Sequence, residues 1–285
     1  MFFIRRCIKS LSSSSLSIIF AIACIGLLLG CSGDVASPEF HVSGAGFNIR
    51  NPDFTAERIV ETEFSVASLS SVNFQAINGE VVVTGDRDIN AIVMTAHLIV
   101  GSDGQADADR HIDDLEIQVT ESAEEMLIQT VQPQNTDGRK YDVKYDVMVP
   151  SGLSVMVTQV NGTIEIIDIE NSVDVAGTNG DVLLSNIVGG VSADVVNGSI
   201  AANVTLPVHE TIDLVIDNGS IELHIPRFTS AVFGSSVGIG AINTLNLAFD
   251  DVVQADQSLT GTLGNGEGVI ELWAGNGNIS VFGTD

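Results

Sequence analysis

Carboxylates are the commonest side chains in this chain that could do chemistry, since 37 acidic residues face only 11 Lys and Arg and the formal net charge is −26. Paired carboxylates can cleave glycosidic bonds, and carboxylates converging in one short loop can bind Ca²⁺. The notable groupings are Asp250-Asp251 and the acidic stretch Asp107–Asp114. Adjacent strand residues point to opposite faces, and no known calcium-loop pattern occurs. We interpret both groupings as solvated surface.

Histidine offers no better chemistry. None of the five histidines has the spacing of metal ligands, and each is read as an isolated strand or surface residue. We therefore expect no metal site, no cofactor and no catalytic residue. The acidic composition also argues against nucleic acid as a partner, because phosphate backbones require basic patches. The histidines are His41, His97, His111, His209 and His224.

The N-terminus has the order of a secretion signal. Basic residues among the first nine precede an apolar run, Leu16–Leu29, which ends in the tetrapeptide Leu28-Leu29-Gly30-Cys31. The run has about 14 residues, whereas a membrane-spanning helix needs about 20. Residues 1–30 resemble a bacterial lipoprotein signal peptide, with a transmembrane helix as the alternative. The resemblance implies cleavage before Cys31 and its acylation, which would anchor the protein in a membrane.

This processing leaves no thiol in the mature chain, because Cys7 and Cys24 lie within the predicted signal and Cys31 carries lipid. Disulfides, cysteine nucleophiles and cysteine metal sites are then excluded. Ser32 resembles the residue that sorts enterobacterial lipoproteins to the outer membrane. Residues 31–56 are rich in Ser, Gly and Pro without a sustained period, and are predicted to be a flexible tether. The predicted location is the cell envelope, anchored to the outer membrane and facing the periplasm or the surface.

A repeat organises the rest of the chain. The pattern of Asn-Gly, one spacer and then Ile or Val occurs six times. In every copy, four positions counted from the Asn are apolar: six and four residues before it, and three and five residues after it. We interpret the Asn-Gly pairs as structural turns rather than a row of ligands, because the turn geometry already requires these residue types. The six pairs are Asn78-Gly79, Asn161-Gly162, Asn179-Gly180, Asn197-Gly198, Asn218-Gly219 and Asn276-Gly277.

Two architectures fit this repeat. Asn-Gly is a strong signal for a β-hairpin, so the copies could form a meander of hairpins. They could also be successive coils of a β-solenoid with stacked corners. Asn161, Asn179 and Asn197 are 18 residues apart, and Asn218 follows 21 residues later. Coils need such regularity to stay in register and hairpins do not, so the spacing favours the solenoid.

The predicted fold is therefore all-β, a single-stranded parallel β-solenoid, similar to a β-helix, within residues 57–285. Residues 57–150 form an irregular part with longer strands, the candidate cap for one end, and residues 151–285 form regular coils. The coil Trp273–Val281 looks uncapped, so weak end-to-end self-association is expected. Trp273 alternates with inward Leu272, faces outward and is a candidate contact.

Three segments carry a family resemblance: Asn78–Val83, Tyr145–Gly152 and Gly275–Ile279. Together with the tandem coils they resemble the DUF4097 adhesin-like family of bacterial envelope proteins, over roughly residues 57–283. The resemblance implies a right-handed β-solenoid that is often tethered to membranes. It implies no catalytic activity and supplies no functional residues to transfer.

The leading functional hypothesis is a non-enzymatic cell-envelope lipoprotein that presents its β-solenoid for adhesion, partner binding or envelope support. A solenoid offers long faces suited to an extended protein or glycan partner. Two alternatives stay open: a β-helix enzyme that acts on polysaccharide, and an envelope-sensing arm of a membrane signalling system.

Overall fold

Seventeen β-strands and one short α-helix make up the computed structural model, which describes residues 53–66 and 68–285. The predicted signal peptide 1–30, Cys31 and residues 32–52 of the predicted tether lie outside the described residues. The strands are β1 Phe54–Ser65, β2 Ser71–Asp86, β3 Ala91–Ser102, β4 Glu116–Glu121, β5 Glu125–Val131, β6 Lys140–Pro150, β7 Ser154–Ile167, β8 Val173–Asn179, β9 Val182–Val188, β10 Val191–Thr205, β11 Thr211–Pro226, β12 Ala231–Ile239, β13 Ile242–Leu245, β14 Phe249–Ala255, β15 Ser258–Leu263, β16 Gly268–Asn276 and β17 Ile279–Thr284.

The helix α1, Gln105–His111, is followed by a 3₁₀ turn, Ile112–Asp114. Within the described residues, no helix combines the length and the hydrophobicity that a bilayer crossing requires.

The Asn-Gly copies lie side by side in parallel strands. The register aligns each copy with the next, from Asn78 through Asn161 to Asn179, and on to the last copy at Asn276. Each Asn-Gly either lies inside one long strand or joins two short strands, and no pairing described is antiparallel across it. The hairpin interpretation is therefore wrong. Its turn also needs positive φ at both central residues, whereas only the glycines have it here.

The aligned Asn-Gly pairs form a corner that runs across the strands of one continuous 17-stranded sheet and divides the sheet into two halves. The leading half contains the segments before each Asn, and the trailing half contains the segments after each Gly. In the leading half the strand order is β4, β5, β2, β7, β8, β10, β11, β16, β12, β15, β14. In the trailing half it is β1, β3, β6, β2, β7, β9, β10, β11, β17, β13.

Both halves enclose one core. All twenty-four apolar positions that frame the Asn-Gly copies are buried, with at most 3 % of their surface exposed. They belong to a single hydrophobic cluster, which the N-terminal strands extend with residues such as Ile92, Met94 and Tyr145. Alternation places these side chains inward on both sides of the corner, because strand residues two apart share a face.

The sheet is parallel in its middle and antiparallel at three of its four edges, since β13 pairs parallel with β17. Strands β1, β3 and β6 pair antiparallel, as do β4 and β5, and at the other end β12, β15 and β14. The all-β class predicted from the sequence is confirmed, and the sheet is mixed. Tight turns connect antiparallel neighbours, so a chain that stops repeating can fold back on itself at the end of the array.

Strand order near the far end departs from chain order. Strands β16 and β17 lie between β11 on one side and β12 with β13 on the other. The expectation that the coil Trp273–Val281 is uncapped is therefore wrong, because β12 and β13 cover it. In the covering coil Ile239 pairs with Asn276 and takes the place of the asparagine, while Gly240 keeps the positive φ of the corner.

Candidate binding surface

The corner asparagines form a hydrogen-bonded ladder along the surface. Each side chain donates from Nδ2 to Oδ1 of the asparagine on the preceding strand, and Asn78 donates to the carbonyl oxygen of Tyr141. All six bonds point the same way, so their dipoles add and each bond polarises the next. The distances are 2.9 Å from Asn78 to Tyr141, 2.7 Å from Asn161 to Asn78, 2.9 Å from Asn179 to Asn161, 3.0 Å from Asn197 to Asn179, 3.1 Å from Asn218 to Asn197 and 2.9 Å from Asn276 to Asn218.

Close backbone approach explains why glycine follows each asparagine. A Cβ on Gly162 would lie 1.6 Å from the carbonyl oxygen of Gly79, and one on Gly219 would lie 1.7 Å from that of Gly198. The φ angles of the six glycines, +117° to +156°, also fall where residues with a Cβ are strained. The ladder amides bind one another, so the geometry gives the asparagines a structural task at the corner.

A groove of about 810 Å³ opens where the ladder ends at Asn78. The described residues hold seven Lys and Arg side chains, and three of them, Arg139, Lys140 and Lys144, line this groove. Lys140 lies 3.0 Å from Asp142. Lys144 is the one basic side chain in the described part of the chain without a carboxylate in ion-pair range. A free ammonium group therefore faces this groove in an otherwise acidic protein.

Arg139 is fixed in the groove wall by the acidic helix α1. Asp107 accepts hydrogen bonds from Arg139 at 2.7 and 3.0 Å and from the Ser102 hydroxyl at 2.6 Å. These bonds, that from Arg139 foremost, hold the pKa of Asp107 well below its usual range. The carboxylate stays ionised, so Arg139 is already neutralised. Gln132, which also lines the groove, has an Oε1 atom without a hydrogen-bond partner.

The acidic stretch is more than a solvated face. Arg58 on β1 donates to Asp113 at 2.9 Å and His111 contacts Asp114 at 2.6 Å. Asp107 and Asp113 thereby hold α1 and the following turn against the sheet, whereas the Asp114 contact is local. Arg139 and Arg58 are 32 and 55 residues away from their carboxylates, so spacing alone could not identify these pairs. The only local signal was the alternation of acidic residues with Arg110 and His111.

A second groove, of about 700 Å³, is acidic. Arg87 pairs with Glu170, which also accepts a hydrogen bond from the Ser151 hydroxyl at 3.0 Å. The bond from Arg87 lowers the pKa of Glu170. In the described ranges, no group of three or more His, Cys, Asp or Glu side chains is arranged to hold a metal ion. The carboxylate of Glu170 in this groove is already paired with Arg87.

The other residues singled out from the sequence are scattered. Asp250 and Asp251 lie on the outer strand β14, where the pairing with β15 is irregular. Trp273 lies on β16 between Val215 and Ser236, half-buried on the outward side. Neither feature lines the groove beside Asn78. Cys31 lies outside the described residues, and the contact role of Trp273 stays a prediction.

Comparison with solved structures gives weak likenesses. A "putative cell adhesion protein" from Clostridium sporogenes has a TM-score of 0.46 at 13% identity, over 80% of this chain and all of that one. A "putative adhesin" from Bacteroides fragilis has a TM-score of 0.27 at 10% identity, over 81% of this chain and 99% of that one. A "putative lipid binding protein" from Parabacteroides distasonis has a TM-score of 0.23 at 11% identity, over 82% and 95%.

No protein-family model matches the chain, and no curated protein matches it. Adhesin is thus a description of similar structures, and the DUF4097 resemblance rests on the sequence segments alone.

Proposed function

We propose that this protein is a non-enzymatic cell-envelope lipoprotein, anchored through Cys31, whose Asn-Gly coils form a β-solenoid that binds an extended partner. The observation that carries the proposal is the parallel, in-register pairing of six Asn-Gly copies. Such stacking gives a long, stiff surface on which the same groups recur at strand spacing, about 4.8 Å. A repeating polymer or an extended chain matches that kind of surface better than a compact small molecule does.

The groove beside Asn78 is the proposed contact point for that partner. Lys144 offers an unpaired ammonium group, with the ammonium of Lys140 on the same groove. A partner with repeated carboxylates pairs with Lys144, so an extended acidic glycan fits the chemistry. The surrounding acidic surface repels such a polymer everywhere else, which confines binding to the groove.

Polygalacturonate, with neutral dextran as the comparison polymer, tests this proposal and its enzymatic alternative together. We expect the full-length chain in mild detergent to bind polygalacturonate, and Lys144→Gln to weaken that binding about tenfold while Arg227→Gln does not, because Arg227 is distant and paired with Asp285. Equal binding by both variants, or equal binding of dextran, would rule out the groove. Shortening of the polymer during the assay would rule out the non-enzymatic assignment.

Anchoring and location need a separate measurement. Protease treatment of intact cells, with Cys31→Ala as the unanchored control and lysed cells as the positive control, reports which side of the envelope the coils face. Cleavage on intact cells favours adhesion, and protection until lysis favours envelope support. Release of the unaltered chain without detergent would contradict the lipid anchor.

A further inference from the structure

The sheet has four open edges among the described strands. In the leading half the outer strands are β4 and β14, and in the trailing half they are β1 and β13. Each pairs with a neighbour on one side only. An open edge presents unpaired N–H and C=O groups on which another chain can add a strand.

Charge protects three of these edges. Natural sheets discourage edge-to-edge pairing by placing charged residues on their outer strands, since like charges facing each other oppose association. Here β1, β4 and β14 all carry carboxylates, and the chain as a whole has a net charge of −26. The carboxylates are Glu57, Glu61 and Glu63 on β1, Glu116 and Glu121 on β4, and Asp250 and Asp251 on β14.

The fourth edge, β13, has no such protection. The segment from Phe228 to Phe249, which contains β12 and β13, has no charged side chain. Apolar side chains are exposed around the edge, with 71% of Ile239 and 56% of Leu245 accessible. Leu247 packs against the core at this end but is only partly buried. The far end of the core is thus closed incompletely by residues that would gain from being covered.

We propose that two copies of the chain associate through β13, antiparallel about a two-fold axis, which joins their trailing halves into one sheet. The charge distribution favours a second copy of the chain as the partner at this edge. The neutral end is the place where two strongly acidic molecules can meet without facing carboxylates, and an isologous contact pairs that end with itself. A cationic partner would find better attraction on the acidic faces elsewhere.

The contact is short. Four residues of β13 supply few backbone hydrogen bonds, so Ile239 and Leu245 must contribute through apolar burial. The expected association is therefore weak and concentration-dependent. This contact lies at β13 rather than at Trp273–Val281, where the sequence predicted end-to-end association, because β12 and β13 cover that segment.

Sedimentation velocity of the full-length chain in density-matched detergent tests the dimer. We expect a monomer–dimer equilibrium below about 0.1 mM, and we expect Leu245→Asp to weaken it at least about tenfold by placing a charge opposite the apolar Ile242 of the second copy. Ile59→Asp on β1 is the matched control, because Ile59 is an equally exposed apolar edge residue, with 62% of its surface accessible. It should leave the dimer unchanged.

A single cysteine provides an independent readout. The described residues contain no cysteine, so Asn243→Cys and Thr244→Cys each place one thiol at the proposed axis. At least one should form a covalent dimer under mild oxidation of intact cells, whereas Ile59→Cys and the unaltered chain should not. A monomer at every concentration, a dimer lost with Ile59→Asp instead, or open-ended polymers would each overturn the proposal.

Discussion

The strands with the Asn-Gly repeat and the N-terminal part are packed in different ways. Between β7 and β11, one asparagine, one glycine and four apolar positions recur in each copy of the repeat, and every copy pairs with the next through the same contacts. Outside the Asn78 copy on β2, the stabilising contacts in β1 to β6 and α1 occur once. Tyr145 bonds to Thr130 at 2.8 Å and packs edge-on against Phe74, and Asp107 binds Arg139.

The difference shows what a repeat can and cannot encode. Identical coils satisfy one another, but nothing in an identical coil says where the array stops. To end the array, the chain needs side chains that differ from those of the repeat. Six of the seven basic side chains in the described residues lie between Arg58 and Lys144, in the part that ends the array, and only Arg227 lies beyond.

The largest expected loss of stability comes from Gly219→Ala, at one of the repeated Asn-Gly corners. The new Cβ would lie 1.7 Å from the Gly198 carbonyl at a φ of +146°, so we expect a loss of at least about 3 kcal/mol of unfolding free energy, or failure to fold. Urea unfolding measures it. Gly152→Ala is the control, because a Cβ there meets nothing within 4 Å. Similar stability of both variants would contradict the corner geometry.

A smaller loss is expected from Tyr145→Phe in the N-terminal part. It leaves the buried Thr130 hydroxyl without its partner, at a cost of about 1–2 kcal/mol. Adding Thr130→Val should recover most of this loss in urea unfolding, because then neither polar group is left unpaired. A double variant less stable than Tyr145→Phe alone would contradict the pairing.

The same tyrosine also predicts an alkaline dependence of stability. Burial raises the pKa of Tyr145 to about 12, whereas an unfolded tyrosine releases its proton near pH 10. The folded state then holds more protons than the unfolded state, so stability falls as pH rises from about 10 to about 12. Tyr145→Phe should flatten this fall. Part of it remains through Tyr141, whose pKa burial also raises.

The smallest expected loss of stability comes from substitutions within the asparagine ladder. Asn179 takes part in two ladder bonds and Asn276 in one of those described. We expect Asn179→Ala to cost about 1 kcal/mol and Asn276→Ala about half as much, since water replaces part of each exposed bond. Thermal unfolding of the two variants compares them directly. A larger cost at Asn276 would argue against a ladder of equivalent bonds.

Sequence reasoning succeeded where the physics is local and periodic. The 18-residue spacing gave the parallel alignment of Asn161, Asn179 and Asn197, and alternation gave the inward frame around each corner. It failed where a contact spans unrelated segments. Asp107 and Arg139 lie 32 residues apart, and no spacing rule connects them. The groove with Lys144 depends on that contact and was therefore not predictable.

Strand order failed for a related reason. The spacing between Asn218 and Asn276 is 58 residues, which the sequence reads as an interruption before a final coil. Pattern identifies Asn276 as a corner but does not say which strand lies beside it. The structure places β16 directly on β11, and the intervening β12 and β13 are displaced outward.

That displacement has a consequence for the order in which the strands are completed during folding. Strands β16 and β17 follow β12 in the chain, yet they occupy the gap between β11 and β12, so the far end cannot be completed as the chain emerges. Until β16 is in place, the backbone N–H and C=O groups of β11 and β12 that it pairs with have no partner from that strand. A chain synthesised from its N-terminus thus completes the N-terminal part first and closes this gap only after β17 has been made, so loss of the last strands leaves the far end open.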